Sequence, residues 1–179
     1  KSPYAASKLY AHWITVNYRE AYNLFAACGI LFNHESERRG EKFVTRKITR
    51  AASRISLGLQ DKLFLGNLDA KRDWGHSRDY VKAMWLMLQE TDPDDYVVAT
   101  GVSRTVRSFC EKAFSLLDLN FDDFFRSDPR FFRSSEKTTL CGDASKIKRL
   151  LGWSPTHDLD SIIEELIEFE LARTSNESN

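Results

Sequence analysis

A continuous apolar run at residues 24–32, LFAACGILF, lies between a helical pattern at 3–22 and a polar segment at 33–41, which we expect to be a loop. A short run without a polar side chain is typical of a strand that is buried on both faces of a parallel sheet. Shorter strand candidates follow at 62–66 and 96–100, separated by helical patterns. Strands that alternate with helices predict an α/β fold with a largely parallel sheet.

The helical patterns have recognisable ends. One ends at Gly58, because glycine readily adopts the left-handed conformation that terminates helices, and another begins at Thr105, a residue type that caps helices. The strand candidates are too few for a complete doubly wound sheet, so we expect part of that sheet to lie upstream of Lys1. The helical patterns cover residues 43–58, 77–89, 105–117, 144–151 and, from Asp158 or Asp160, onward to about 172.

The composition is that of a globular protein without a charge bias. The 179 residues are 42% hydrophobic and 29% charged, and 26 Lys and Arg balance 26 Asp and Glu. A net charge of zero argues against a nucleic-acid or anionic-membrane partner, and no apolar run approaches the ~20 residues of a membrane span. Cys28, Cys110 and Cys141 are widely spaced and odd in number, which argues against disulfides or a zinc site and favours a reducing, cytoplasmic compartment.

Tyr4 and Lys8 lie four residues apart in a predicted helix with Ser2 as its cap and Pro3 as its first residue. This spacing places the phenol and the ammonium side by side on one helix face. A nearby positive charge favours the phenolate, which makes the pair suited to take a proton from a sugar hydroxyl. The alternative is a half-buried tyrosine beside a solvated lysine, because the same spacing occurs by chance in many helices.

The segment around this pair resembles the active-site helix of extended short-chain dehydrogenases/reductases that act on nucleotide sugars. Together with further segments, the chain from residue 2 to about 155 resembles the GDP-mannose 4,6-dehydratase family. It departs from the family pattern at Glu37, where a proline is expected, and at Ser134 and Ser135, which replace a proline-containing pair. The segments that carry the resemblance are SPYAASK at 2–8, NHES at 33–36, RRG at 38–40, FVTRKI at 43–48 and LGNLDAKRDWGH at 65–76.

The resemblance implies a Rossmann-like fold and an NADP-linked reaction on GDP-mannose. The sugar would be oxidised at C4, lose water across C5 and C6, and regain the hydride at C6, which yields GDP-4-keto-6-deoxymannose. Tyr4 would deprotonate the 4-hydroxyl, and Lys8 would hold the nicotinamide ribose and tune Tyr4. His34 and Arg39 would contact the dinucleotide; the alternatives are a strand-end histidine and a solvated arginine.

The resemblance also implies a set of residues that bind the nucleotide sugar. Arg72 and Arg133 would clamp the diphosphate, because the guanidinium fork matches phosphate oxygens. Asn33 would position the hexosyl diphosphate, Val44 and Lys47 would line the guanine pocket, and Glu136 would bind nucleoside hydroxyls or the base. The alternatives are a turn asparagine for Asn33, a surface lysine for Lys47 and a salt bridge with Asp69 or Asp73 for Arg72.

Phenylalanines interleaved with arginines over residues 121–133 form a second pattern. Such interleaving can stack on single-stranded nucleic acid. Neighbouring aspartates at 118, 122, 123 and 128 offset the positive charge, so we expect a packed wall of the substrate region instead.

The chain lacks parts that the family reaction needs. No Gly-x-x-Gly-x-x-Gly loop is present, and the family's threonine and glutamate, which would act at C5 and C6, would lie upstream of Lys1. We therefore expect an incomplete chain with little or no turnover alone. Two alternatives remain open: another nucleotide-sugar epimerase or dehydratase, and a non-catalytic nucleotide-binding remnant.

The predicted organisation has three parts. Residues 1–58 would end the dinucleotide-binding domain, and residues 59–173 would form a smaller, mostly helical nucleotide-sugar-binding region with one returning strand. Residues 174–179 would be a disordered tail. The resemblance also implies a homo-oligomer, a dimer or tetramer, formed in part through apolar groups at residues 9–22.

Overall fold

The computed structural model describes residues 2–132 and 139–177, which fold as an α/β protein. Two predicted strands, at 62–66 and 96–100, are confirmed as β3 and β5. The helices are α1 (Pro3–Tyr22), α2 (Val44–Ser56), α3 (Ser77–Met87), α4 (Val106–Ser115), α5 (Phe121–Phe124), α6 (Ser145–Leu151) and α7 (Leu159–Glu177), with a 3-10 turn at Pro129–Phe131. The strands are β1 (Cys28–Leu31), β2 (Asn33–Glu35), β3 (Leu63–Leu65), β4 (Lys71–His76), β5 (Asp95–Val98), β6 (Ser103–Thr105) and β7 (Phe125–Ser127).

The strands form three small sheets that are mostly parallel. In the first, β1 pairs with the returning strand β5, and Cys28 lies opposite Asp95. In the second, β4 pairs with β2 in parallel and with β6 in antiparallel orientation. In the third, β3 pairs with β7 in parallel. The predicted α/β class with a largely parallel sheet is confirmed.

The apolar run at 24–32 contains β1, but the prediction that this strand is buried on both faces is wrong: none of Cys28–Leu31 is buried, and Ile30 is 47% exposed. The next strand follows almost at once. The polar segment at 33–41 was predicted to be a loop, and this is wrong for its first three residues, because Asn33 lies opposite Trp74 in the β2–β4 ladder. Strand pairing between distant segments overrides local polarity here.

Helix α1 has the predicted bounds. Ser2 Oγ accepts a hydrogen bond from Ala5 N at 3.0 Å, and Asn23 ends the helix in the left-handed conformation. None of its residues is buried, and the large side chains of Leu9 and Trp13 are each 60% exposed. Helix α1 therefore contributes little to the core of this chain. No helix in the described residues has the length and apolar character needed to cross a membrane.

The main core lies between α2, α4 and α7. An ion pair between Arg46 of α2 and Glu170 of α7 is buried beside it, with side chains 4% and 1% exposed. The last helix continues to Glu177, and Thr174 is buried. The prediction of a disordered tail from residue 174 is therefore wrong for 174–177, because Thr174 lies on the packed face of α7. Fully buried core side chains include Ile48, Ala52, Phe109, Phe114 and Ile163.

Candidate functional site

A cavity of about 300 Å³ lies beside the start of α2 and the loop after β3. Five predicted site residues line it, namely Asn33, Arg39, Val44, Lys47 and Arg72. The structure thus brings together residues that are up to 39 positions apart in the sequence. The other lining residues are Lys42, Phe43, Leu65, Gly66, Asn67, Val106 and Phe131.

The first part of the cavity wall comes from the connection between β2 and α2. Asn33 begins β2, and Val44 begins α2 after Phe43, whose backbone N–H donates to Gly40 O at 3.0 Å. Lys47 follows Val44 by three residues, so both side chains lie on the same face of the helix.

Arg39 is held in place by two neighbours. Its guanidinium carbon lies 3.6 Å from the centre of the Phe43 ring, and its Nε lies 3.4 Å from Glu35 Oε2. This Nε is buried and makes no hydrogen bond within the described part of the chain. Glu35 is 1% exposed and accepts a hydrogen bond from Thr45 Oγ1 at 2.6 Å. The buried carboxylate therefore fixes both the start of α2 and the Arg39 side chain.

Burial raises the pKa of the Glu35 carboxyl above its ordinary value, although Thr45 and Arg39 oppose the shift. Because the folded-state pKa is raised, protonation of Glu35 stabilises the fold. This contribution is fully present below the unfolded-state pKa of ~4.3 and is lost as pH rises through the folded-state pKa. We expect Glu35→Gln to remove this loss, so that the stability of the variant relative to the parent increases as pH rises from ~4.3 through the folded-state pKa. Urea unfolding across this range would measure it.

The control for this prediction is Glu90→Gln, because Glu90 is exposed. Its free energy of unfolding should follow the parent at every pH. Parallel pH profiles for the parent and Glu35→Gln would contradict the assignment of the shift to Glu35.

Lys47 forms the next part of the wall. Its Nζ donates to Phe64 O at 2.5 Å and lies 3.4 Å from the centre of the Phe131 ring. Burial lowers the pKa of the Lys47 ammonium from its ordinary value. Lys47 and Phe131 also line an adjoining cavity of about 510 Å³, so the two cavities share these two side chains.

The approach of Phe131 to the cavity requires Gly66. A Cβ atom at position 66 would lie 2.5 Å from the carbonyl oxygen of Phe131, well inside contact distance. The sequence offered no role for Phe131 beyond the expected packed wall at 121–133. Sequence reasoning missed two other lining residues: Lys42 directly precedes a segment that carried the resemblance, and Asn67 lies within one.

The cavity has a strongly positive lining. Arg39, Lys42, Lys47 and Arg72 line it, and no carboxylate does so among the described residues. Arg72 lies in β4, and its guanidinium also donates to Lys71 O at 2.8 Å. Guanidinium and ammonium groups around apolar and aromatic side chains suit a ligand with phosphate groups and a planar ring.

Tyr4 and Lys8 do not line this cavity. They lie side by side on α1 as expected, with Lys8 Nζ 5.5 Å from the centre of the Tyr4 ring, and Tyr4 is 71% exposed. His34 is also absent from the lining, because alternate residues of β2 point to opposite sides. Its Nδ1 lies 2.9 Å from Phe32 O, and its ring lies 5.0 Å from that of Tyr80. This arrangement fits the alternative given for His34, a strand-end histidine that is satisfied by its neighbours.

Arg133 and Glu136, the remaining two predicted binding residues, lie outside the described residues. Their roles stay predictions.

One group of side chains could hold a metal ion by distance alone. His12, Cys28 and Asp95 place one ligand atom each within 4.8 Å of one another. However, Arg19 donates to Asp95 Oδ1 at 2.8 Å. The guanidinium already neutralises this carboxylate, so the cluster is better described as an ion pair with its neighbours.

The chain resembles solved structures of nucleotide-sugar enzymes in its fold. A structure described as RMD from Pseudomonas aeruginosa complexed with NADPH aligns with a TM-score of 0.88 and 22% identity, over 97% of this chain and 56% of that one. The dTDP-glucose 4,6-dehydratase (rfbB) of Bacillus anthracis, in complex with NAD, aligns with a TM-score of 0.82 and 21% identity, over 99% and 54%. Both are Rossmann-type α/β proteins, in agreement with the predicted fold.

Sequence relatives are much closer. GDP-mannose 4,6 dehydratase 2 of Arabidopsis thaliana is 58% identical over 177 residues, which are 99% of this chain and 48% of the relative. GDP-mannose 4,6 dehydratase of Homo sapiens is 48% identical over 194 residues, covering 98% and 52%. This chain spans about half the length of these relatives. The family model for GDP-mannose 4,6 dehydratase matches residues 1–166. The chain belongs to the GDP-mannose 4,6-dehydratase family.

Proposed function

We propose that this chain forms the nucleotide-sugar-binding part of an NADP-dependent GDP-mannose 4,6-dehydratase, a lyase that yields GDP-4-keto-6-deoxymannose. The observation that supports it most is the convergence of five residues, suggested by the family resemblance, on one cationic cavity. Family membership supports the substrate class.

Around the cavity of about 300 Å³, different residues suit different parts of GDP-mannose. Arg72 would provide positive charge for the diphosphate, with Arg133 as the second clamp. Val44 and Lys47 would line the guanine pocket, with Phe131 as a further apolar surface for the ring, and Glu136 would bind nucleoside hydroxyls or the base. Asn33, at the start of β2, would position the hexosyl end.

The residues for the redox part of the reaction lie on α1. When bound, NADP supplies a nicotinamide ring that takes a hydride and gives it back. Tyr4 and Lys8 fit this group, because both side chains are exposed on one helix face and lie close together. Tyr4 would take the proton of the sugar 4-hydroxyl, while Lys8 would favour the phenolate and hold ribose hydroxyls. Contacts of His34 and Arg39 with the dinucleotide belong to the same proposal.

The choice of NADP rests on the resemblance and on one structural neighbour. The Pseudomonas aeruginosa protein is described with NADPH, whereas the Bacillus anthracis dehydratase is described with NAD. The proposal also includes a cytoplasmic, homo-oligomeric protein, with exposed apolar side chains of α1 such as Leu9 and Trp13 at an interface. We expect this chain alone to show little or no turnover, because groups that the reaction needs are not in its sequence.

Calorimetric titration of the chain with GDP tests the binding part of the proposal. We expect Arg72→Gln and Lys47→Gln each to weaken GDP affinity roughly 10- to 100-fold, which corresponds to the ~1.5–3 kcal/mol of a hydrogen bond with a charged group. Arg149→Gln is the matched control, because Arg149 is exposed on α6 and lines neither cavity. Its GDP affinity should equal that of the parent.

Titrations with dTDP and UDP distinguish the alternative nucleotide-sugar enzymes. Tighter binding of either than of GDP would contradict the proposed substrate. GDP binding that is unchanged in both cavity variants would contradict the proposed site.

A further inference from the structure

A separate cavity of about 270 Å³ lies between the turn after β5 and the segment that leads into α7. It shares no lining residue with the cavity of about 300 Å³ proposed to bind GDP-mannose, which is called the nucleotide cavity below. Its walls combine the apolar side chains of Val102, Pro155 and Leu159 with the indole of Trp74 and the guanidinium of Arg104. The other lining residues are Thr100, Thr156, His157 and Asp158.

The indole of Trp74 contributes a hydrogen-bond donor without a partner. Trp74 is 3% exposed and packs against Phe109, with ring centres 5.4 Å apart. Its Nε1–H is buried and has no hydrogen-bond acceptor in residues 2–132 or 139–177. Buried donors are almost always satisfied in folded proteins, so an acceptor atom of a ligand that reached this indole N–H would gain a hydrogen bond that the described residues leave unmade.

Arg104 contributes an available positive charge. Its side chain lies at the cavity wall, and it has no ion pair within the described ranges. It lies directly opposite Arg72 in the β4–β6 ladder.

The acidic groups at this cavity are already engaged by the chain. Asp158 accepts a hydrogen bond from Ser161 N at 2.8 Å and so caps the last helix. Asp79, which is not part of the lining, accepts from Thr156 Oγ1 at 2.6 Å and lies 3.0 Å from His157 Nδ1. Among the lining residues, Arg104 offers a positive charge and Trp74 an indole N–H, and these two groups would recognise a ligand.

We infer that this cavity is a second ligand site, which binds a small organic molecule carrying a phosphate or carboxylate group. The anionic group would accept from the Trp74 indole and pair with the Arg104 guanidinium, and an apolar body would contact Val102, Pro155 and Leu159. The inference is independent of the proposed function, because none of these residues lines the nucleotide cavity.

The indole N–H resonances of the ¹⁵N-tryptophan-labelled chain provide a direct test. The chain has four tryptophans, and Trp74→Phe assigns the relevant signal. The probes are inorganic phosphate, acetate, phenyl phosphate and benzoate, at constant ionic strength. We expect a saturable downfield shift of the Trp74 signal, tighter for the phenyl-bearing member of each pair; the pair that binds tighter identifies phosphate or carboxylate as the preferred group.

The matched variants are Arg104→Gln and Arg149→Gln. We expect the first to weaken binding at least 10-fold and the second to leave it unchanged, while both retain the parent affinity for GDP. A linear shift without saturation would indicate an adventitious ion only and overturn the inference, as would equal binding by Arg104→Gln. A Trp74 shift caused by GDP and abolished by Lys47→Gln would assign the cavity to the nucleotide site and also overturn it.

Discussion

Replacing Glu170 with alanine is expected to lower the free energy of unfolding by about 3–5 kcal/mol, because the change leaves the Arg46 guanidinium charged and buried without its partner. The two side chains are 1% and 4% exposed. Arg46 also donates to the carbonyl oxygens of Glu37 and, at 3.1 Å, of Arg39. The pair therefore joins α2 and α7 and also supports the turn that carries Arg39. Urea unfolding monitored by circular dichroism would measure the loss.

An exposed ion pair provides the control. Arg107 lies 3.1 Å from Asp122, with side chains 41% and 66% exposed. Asp122→Ala should change the free energy of unfolding by less than about 1 kcal/mol, because solvent screens such pairs. A loss below about 1 kcal/mol for Glu170→Ala as well would contradict the importance assigned to the buried pair.

Asp73→Asn is expected to have the second large effect, a loss of about 2–5 kcal/mol. Asp73 is fully buried, and its Oδ2 accepts hydrogen bonds from Gly101 N at 2.9 Å and Gly142 N at 3.1 Å. Its Oδ1 accepts from Thr100 N at 2.9 Å and from Thr100 Oγ1 at 2.6 Å. An amide in place of Oδ2 would face two N–H donors, and each buried unsatisfied donor costs ~1–3 kcal/mol.

The same substitution should also weaken GDP binding, because Asp73 holds the strand that carries Arg72. Asp69→Asn, at an exposed position of the preceding loop, should leave both stability and GDP affinity close to those of the parent. If Asp73→Asn unfolds like the parent, the backbone at Thr100, Gly101 and Gly142 does not depend on this carboxylate for its stability.

Elements with strong local signals could be predicted from the sequence. Helix α1 begins where Ser2 and Pro3 predict, and the structure shows that Asn23 ends it in the left-handed conformation. Strands β2 and β4 were not predicted, since their sequences, NHE and KRDWGH, are polar and their pairing is non-local. Strand β7, at Phe125–Ser127, is stabilised by pairing with β3, which local pattern does not reveal.

The site could be predicted in its membership but not in its geometry. Family resemblance selected Asn33, Arg39, Val44, Lys47 and Arg72, and the fold brings all five to one cavity. It did not indicate Phe131, because that contact depends on the close approach of its backbone to a glycine in a distant loop.

Helix α1 occupies an unusual position in this chain, since it has twenty residues and none of them is buried. Side chains that bury little surface contribute little to the free energy of folding. The stability of this chain therefore restricts the sequence of α1 weakly, whereas it restricts α2 strongly at the positions that α2 buries, such as Ile48 and Ala52. Substitutions in α1 should therefore change the free energy of unfolding little. Any loss of function that they cause would then report on the chemistry of α1 or on its contacts with other polypeptide surfaces.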